Sequence, residues 1–215
     1  MDKIIQDYIL LILNCEKYRF KAEKQKSLWI PFLPSALMYF HVIGNPDLPT
    51  AYSLDRSNSI LYVQSEDDYI HLPKKVIRAY EAIHELFDYA YIFKTDDDQQ
   101  LQTSKFFPTL MSILSSYQNK KHIDYGGLMV HLQTDQVSQY YKFHPELPTN
   151  ILLKKGGYCN GRFYILSYKA IDALLILKSD IEKEYFEDYA IGHYLPESIK
   201  QNFLPLQTGN YFKDF

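Results

Sequence analysis

Short apolar runs alternate with charged, helically patterned segments along the whole 215-residue chain. Tyr8 to Leu13 is an unbroken apolar run, as expected of a strand buried on both faces. Arg19 to Leu28 is charged and helical, and ends at Trp29 and Pro31. Leu37 to Ile43 reads as strand, closed by the turn signal Gly44-Asn45-Pro46, and Ser59 to Val63 as another. Pro73 to Phe87 carries Val76, Ile77, Tyr80, Ile83, Leu86 and Phe87 at helical spacing, with Pro73 near the helix start. Tyr89 to Phe93 is a strand, and Ser104 to Tyr117 a helix with Pro108 in its first turn. Gly127 to His131 and Phe163 to Leu166 are strands. Tyr168 to Leu177 and Glu187 to Leu195 are helices, and Phe203 to Leu206 is a last strand. Strands alternating with helices predict a layered α/β domain with a largely parallel sheet. There is no repeat, low-complexity tract or linker, so residues 1–215 are expected to form a single domain.

The strand Tyr89 to Phe93 runs through Lys94 and Thr95 into Asp96-Asp97-Asp98. Ligands of open α/β sheets sit at such strand ends. Side chains two apart on an extended segment share a face. Asp96 and Asp98 are therefore expected to converge on one hard cation, which prefers carboxylate oxygens. A cation so held, with open positions, suits a diphosphate. The same residues read equally well as a polar turn whose carboxylates meet only water.

Composition narrows the partners. Net charge is −3, which calls for neither nucleic acid nor an acidic membrane surface. Tyr 20 and Phe 13 stand out, and tyrosine-rich clefts suit sugars, which offer apolar CH faces and hydroxyls together. Cys15 and Cys159 make no zinc pattern or disulfide framework and are read as reduced. Tyr8 to Leu13 is too short to span a bilayer, which takes ~20 apolar residues. It also lacks the positive flank and small-residue cleavage site of a signal peptide. Asn14-Cys15-Glu16 stands where a dinucleotide fold would place its glycines, so any phosphates must be held in another way.

Two segments near the C-terminus carry further candidates. Phe186-Glu187-Asp188-Tyr189-Ala190-Ile191-Gly192 opens a short helix with two acids, which by itself is an ordinary helix-start preference. Gly156-Gly157-Tyr158-Cys159-Asn160-Gly161 reads by itself as a loop before the strand at Phe163.

In order, these segments resemble the inverting glycosyltransferases of family 31, the β-1,3-galactosyltransferase and Fringe-like group. Arg19 through Leu28-Trp29 is similar to that family's Arg-rich helix ending in Thr-Trp, and Phe40-His41-Val42-Ile43-Gly44 to its Phe-Leu-Leu-Gly strand. Glu66 to Lys75 resembles its Asp-Ser-Tyr-x-Asn-Leu-Thr-x-Lys segment, and Lys94 to Asp98 its Lys-x-Asp-Asp-Asp motif. Tyr158-Cys159-Asn160-Gly161 with Tyr164-Ile165-Leu166-Ser167 resembles its Tyr-Cys-Ser-Gly and Tyr-Val-Leu-Ser, and Glu187-Asp188 with Gly192 its Glu-Asp-Val-x-x-Gly. Two departures stand beside these. Arg162 and Phe163 follow Gly161 where the family has glycines, and the tail Gly209 to Phe215 lacks the family's late metal-ligating histidine.

The resemblance implies a GT-A fold, a single Rossmann-like layered domain with a mostly parallel central sheet. It implies a nucleotide-sugar donor, a UDP-sugar, and a glycan or glycoconjugate hydroxyl as acceptor. Mn²⁺ or Mg²⁺ is expected at Asp98 with Asp96 nearby. Asp96, Asp97, Arg19, Gly161 and Arg162 are expected around the donor. Asp188 is the expected general base, with Glu187 second. The absence of an anchor unlike the Golgi members implies a cytoplasmic setting, viral or microbial. Two other classes compete. A degenerate sugar- or nucleotide-binding module would fit Arg162 and the missing histidine. A phosphotransferase or metal-dependent hydrolase would need a nucleophile or second metal cluster, which the sequence lacks.

Overall fold

The computed structural model describes residues 2–117 and 122–215. Its core is an eight-stranded sheet. The strands are β1 (Tyr8–Leu13), β2 (Leu37–Gly44), β3 (Tyr52–Asp55), β4 (Ile60–Val63), β5 (Tyr91–Asp96), β6 (Tyr125–Leu132), β7 (Gly156–Ser167) and β8 (Phe203–Pro205). Their spatial order is β8-β6-β7-β5-β1-β2-β4-β3. β5, β1, β2 and β4 run parallel, and only β3 and β7 run against their neighbours. The helices are α1 (Arg19–Leu28), α2 (Leu72–Leu86), α3 (Phe106–Tyr117), α4 (Tyr168–Ile176), α5 (Lys178–Ile181), α6 (Glu187–Tyr194) and α7 (Glu197–Lys200).

Alternation along the central strands builds two cores. Ile9, Leu11 and Leu13 of β1 pack with Val76, Ile77 and Tyr80 of α2 and Ile171 of α4 on one face. Tyr8, Leu10 and Ile12 pack with Trp29 and with Phe107 and Leu110 of α3 on the other. Both faces are covered, which is why β1 is apolar at every position.

The sequence reading has no strand at Tyr52–Asp55, where β3 forms, and two of the segments it does read change. The strand expected at Tyr89 to Phe93 begins later and runs through Lys94 and Thr95 to Asp96, because Leu13 of β1 pairs with Asp96 to the end of the ladder. Cross-strand hydrogen bonding carries the strand past the end of its apolar run. Gly156 to Gly161 is not a loop but the first half of β7, pairing Gly156 to Cys159 with Leu132 to Met129. The register then breaks between Cys159 and Tyr164, a bulge that re-aims Asn160, Gly161 and Arg162.

Candidate active site

Strand order places the aspartates. β5 lies beside β1 at the middle of the sheet, and its C-terminal end carries Asp96. Asp97 and Asp98 form the turn into a short strand, Gln99–Leu101. Asp98 is therefore not on the extended segment with Asp96, and period-two alternation does not bring the two together. It brings Lys94 and Asp96 together instead, with Lys94 Nζ 2.7 Å from Asp96 Oδ1. Asp97 pairs with Lys21 of α1 at 3.0 Å. Burial pushes both Asp96 and Asp97 up to about 6, against the opposing pull of Lys94 and Lys21. Asp98 Oδ1 accepts from the Gln99 amide, and that amide also donates to Asp214 Oδ1, both at 2.8 Å. The strand Phe212–Asp214 pairs antiparallel with Gln99–Leu101, and Phe215 N–H donates to the Asp98 carbonyl. The tail that lacks the expected histidine is thus laid against the aspartate turn.

Lys94 is the hub of the site, and sequence reading assigned it no role. It is 1% exposed, yet its ammonium has three acceptors: Asp96 Oδ1 at 2.7 Å, Gly161 O at 2.8 Å and Glu187 Oε2 at 2.9 Å. Burial alone would lower this amine, but the Asp96 and Glu187 carboxylates more than offset it and hold it protonated. The signal in the sequence was a lysine inside an otherwise apolar strand, a position where a charge persists only if paired.

Glu187 and Asp188 are neighbours with different surroundings. Glu187 is 4% exposed, and its carboxylate is taken by Lys94 and by the Tyr164 hydroxyl, which meets the Tyr80 hydroxyl behind it. Asp188 is only partly covered. Its Oδ2 accepts from Gly161 N–H at 3.0 Å and its Oδ1 from Tyr189 N–H at 2.8 Å. Each oxygen keeps a free lone pair. Burial raises the Asp188 carboxyl, and the Lys94 charge and the two N–H groups partly offset that rise. Gly161 joins the halves of the site: its N–H holds Asp188 and its carbonyl holds Lys94.

Gly192 explains how α6 reaches this position. A Cβ there would lie 2.2 Å from Tyr158 Cβ and 2.5 Å from Tyr158 Cα. Only glycine lets the helix sit on β7 closely enough for Asp188 to meet Gly161. Gly192→Ala is expected to lower stability by about 1–3 kcal/mol through overpacking and to cut transfer by displacing Asp188. Urea unfolding with parallel rate assays checks this, and an unchanged midpoint would show that the contact relaxes freely.

Arg19 and Arg162 complete the expected residues. Arg19 pairs with Glu16 at 3.2 Å and donates to the Tyr62 hydroxyl. It lines a cavity of about 370 Å³ between α1, β2 and β4, with His41 and Ile43 on its walls. Arg162 turns to the tail, donating to Phe212 O and Asp214 Oδ1, each at 3.0 Å. Its bulk is thus spent pinning the last strand. Trp29 is buried, as expected of core packing, and its indole N–H donates to Gln99 O at 3.1 Å. Cys159 is buried and both cysteines are free thiols. No helix among the described residues is long and apolar enough to cross a membrane.

A family model described as Galactosyltransferase matches residues 52–200, which include the aspartate turn, the β7 bulge and the Glu187-Asp188 helix. Among solved structures, a glycosyltransferase involved in the glycosylation of the major capsid of PBCV-1 is similar, with 13% identity and a TM-score of 0.53. That likeness covers 95% of this chain and 83% of the other. Mouse xyloside xylosyltransferase 1 shares 11% identity over 94% of this chain and 85% of its own, with a TM-score of 0.41. No curated protein sequence matches. The first of these structures carries the fold alone, a GT-A-like α/β layout. The family match spans most of the chain, with the Asp96-Asp97-Asp98 turn, Glu187 and Asp188 inside it, and on that ground the chain belongs to the galactosyltransferase family and is a glycosyltransferase.

Proposed function

We propose that this glycosyltransferase moves a sugar from a UDP-sugar to a glycan hydroxyl, with inversion and with a divalent metal. The carrying observation is the single hydrogen-bonded system that runs from Asp96 through Lys94 and Gly161 to Asp188. It holds the turn after β5 and the half-buried Asp188 carboxylate of α6 in fixed relation.

The acidic turn fits a hard cation. Among the described residues no group of three or more His, Cys, Asp or Glu is arranged to hold a metal by itself. Magnesium sites of this kind use one or two carboxylates and take the rest from substrate phosphates and water. Asp98, in the turn that follows Asp96, would hold Mn²⁺ or Mg²⁺, and the ion would supply charge neutralisation for the leaving diphosphate. Asp97, committed to Lys21, supports the turn.

The chain's own residues do the rest. Asp188 accepts a hydrogen bond from the acceptor hydroxyl and takes its proton as that oxygen bonds to the sugar carbon. The old carbon–oxygen bond breaks on the opposite face, and its electron pair leaves with the diphosphate. The sugar carbon passes through an oxocarbenium-like state. Burial raises Asp188, which makes it a stronger base. Glu187, sealed beneath, fixes Lys94 and has no path to the acceptor.

Calorimetric titration of UDP with and without Mn²⁺ tests the donor assignment. Wild type is expected to bind UDP only with metal, and Asp98→Ala to lose that binding. Equal affinity in the two proteins would remove Asp98 from the site. A non-catalytic sugar-binding module is the second reading, favoured by the lysines already paired with Asp96 and Asp97. It predicts UDP binding without acceptor-dependent turnover.

A further inference from the structure

We propose that the aromatic cluster bordering Asp188 is the acceptor platform, and that it binds a neutral glycan through the CH faces of its sugar rings. This inference rests on the transferase reading above.

The chain between β6 and β7 makes an excursion that does not join the central sheet. Its two short strands, Gln136–Val137 and Leu152–Leu153, pair only with each other. The excursion packs Leu147, Ile151 and Leu153 against Phe186 and Tyr189, the residues on either side of Glu187-Asp188. From it, Tyr140 meets Phe186 edge-on at 5.6 Å. The His144 ring is parallel to two others, Tyr69 at 3.9 Å and 7°, and Tyr140 at 5.7 Å and 3°. Tyr69 comes from the segment before α2, so the stack ties two loops together over one side of the site. Tyr158 packs on Tyr189 at 5.8 Å.

The cluster is beside the reacting groups. Burial raises the phenols of Tyr69 and Tyr158, and the charge of Asp188 adds to the rise in both. The charge of Asp96 also reaches Tyr69. The outer rings are open: Tyr140 is 49% and Phe143 77% exposed. Phe143 packs on Tyr140 and Tyr140 on Phe186, two residues from Asp188, and an exposed aromatic patch of this kind marks a place for a ligand. A glycosyltransferase must seat its acceptor hydroxyl at that base, and sugar CH faces match aromatic rings. Asp188, which has no cation paired to it, would repel an acidic sugar, so a neutral glycan fits.

The test is saturation-transfer NMR with lactose, maltose and diacetylchitobiose, run beside UDP titration. Wild type, Tyr140→Ala, Phe143→Ala and an exposed control outside the cluster, Phe32→Ala, are compared; Phe32 is 63% exposed at the end of the short turn of helix that follows α1. At least one sugar is expected to bind wild type and Phe32→Ala alike. Each platform variant should weaken that binding roughly two- to tenfold, the worth of one aromatic contact, and leave UDP affinity unchanged. Equal sugar binding in all four proteins, or none in wild type, overturns the platform. Sugar binding without UDP binding would overturn the donor reading and leave the platform standing; UDP binding without sugar binding would do the reverse.

Discussion

Asp188→Asn is expected to abolish acceptor-dependent transfer, lowering kcat by about 10²–10⁴-fold, the usual worth of a positioned general base. The geometry makes the change a clean one. The two carboxylate oxygens accept from Gly161 and Tyr189 N–H groups, and both groups sit on rigid elements. Asn keeps one of these bonds and turns an NH₂ toward the other, at a cost of about 1 kcal/mol or a little more. The protein should therefore fold and bind UDP as before. Rate assays with a donor and an acceptor check the loss, and calorimetry checks the retained UDP affinity. Turnover near wild type would remove Asp188 as base. A parallel loss of UDP binding would mean that the substitution had disturbed the donor site instead.

Lys94→Met is expected to be the most destabilising single change in the site. The stem length is kept, but Asp96 and Glu187 lose their shared cation, and Gly161 O loses its donor. Breaking a buried ion pair from one side costs about 3–5 kcal/mol, because the stranded charge stays in a low-dielectric setting. The double variant Lys94→Met/Glu187→Gln removes one of the stranded charges. It should recover part of the stability, since replacing a buried pair is far milder than halving it. Urea unfolding of the two variants checks this, and a double variant no more stable than Lys94→Met would deny the coupling. Neither variant should transfer efficiently, because the tie between the aspartate turn and the Asp188 helix is gone in both.

The architecture was largely legible in local patterns. β1 and α1 fall on the expected residues, Tyr8–Leu13 and Arg19–Leu28. The other strands and helices that were read keep their order, and the structure adds β3, α5 and α7. Apolar runs, helical spacing and Pro or Gly punctuation act within a few residues, so a window of sequence contains their whole cause. The acidic segments were legible too, because charge at a strand end and at a helix start stands out against an apolar background.

What those carboxylates do was not local. Asp96 and Asp98 were expected to share a face, but the chain turns at Asp97 and Asp98, and Lys94 takes the place beside Asp96. Glu187 and Asp188 look interchangeable in the sequence. One closes on a lysine contributed by β5 and is sealed, while the other is half-buried and held by a glycine of the β7 bulge. Arg162, expected at the donor, also grips the last strand, a contact that no local pattern announces. By itself the sequence determined the layered sheet, its helices and the set of acids, because those follow from periodicity and composition. Only the tertiary structure decided which acid is paired and which is free. That depends on burial and on partners brought together from distant parts of the chain, where the cost of an unpaired charge selects the neighbours.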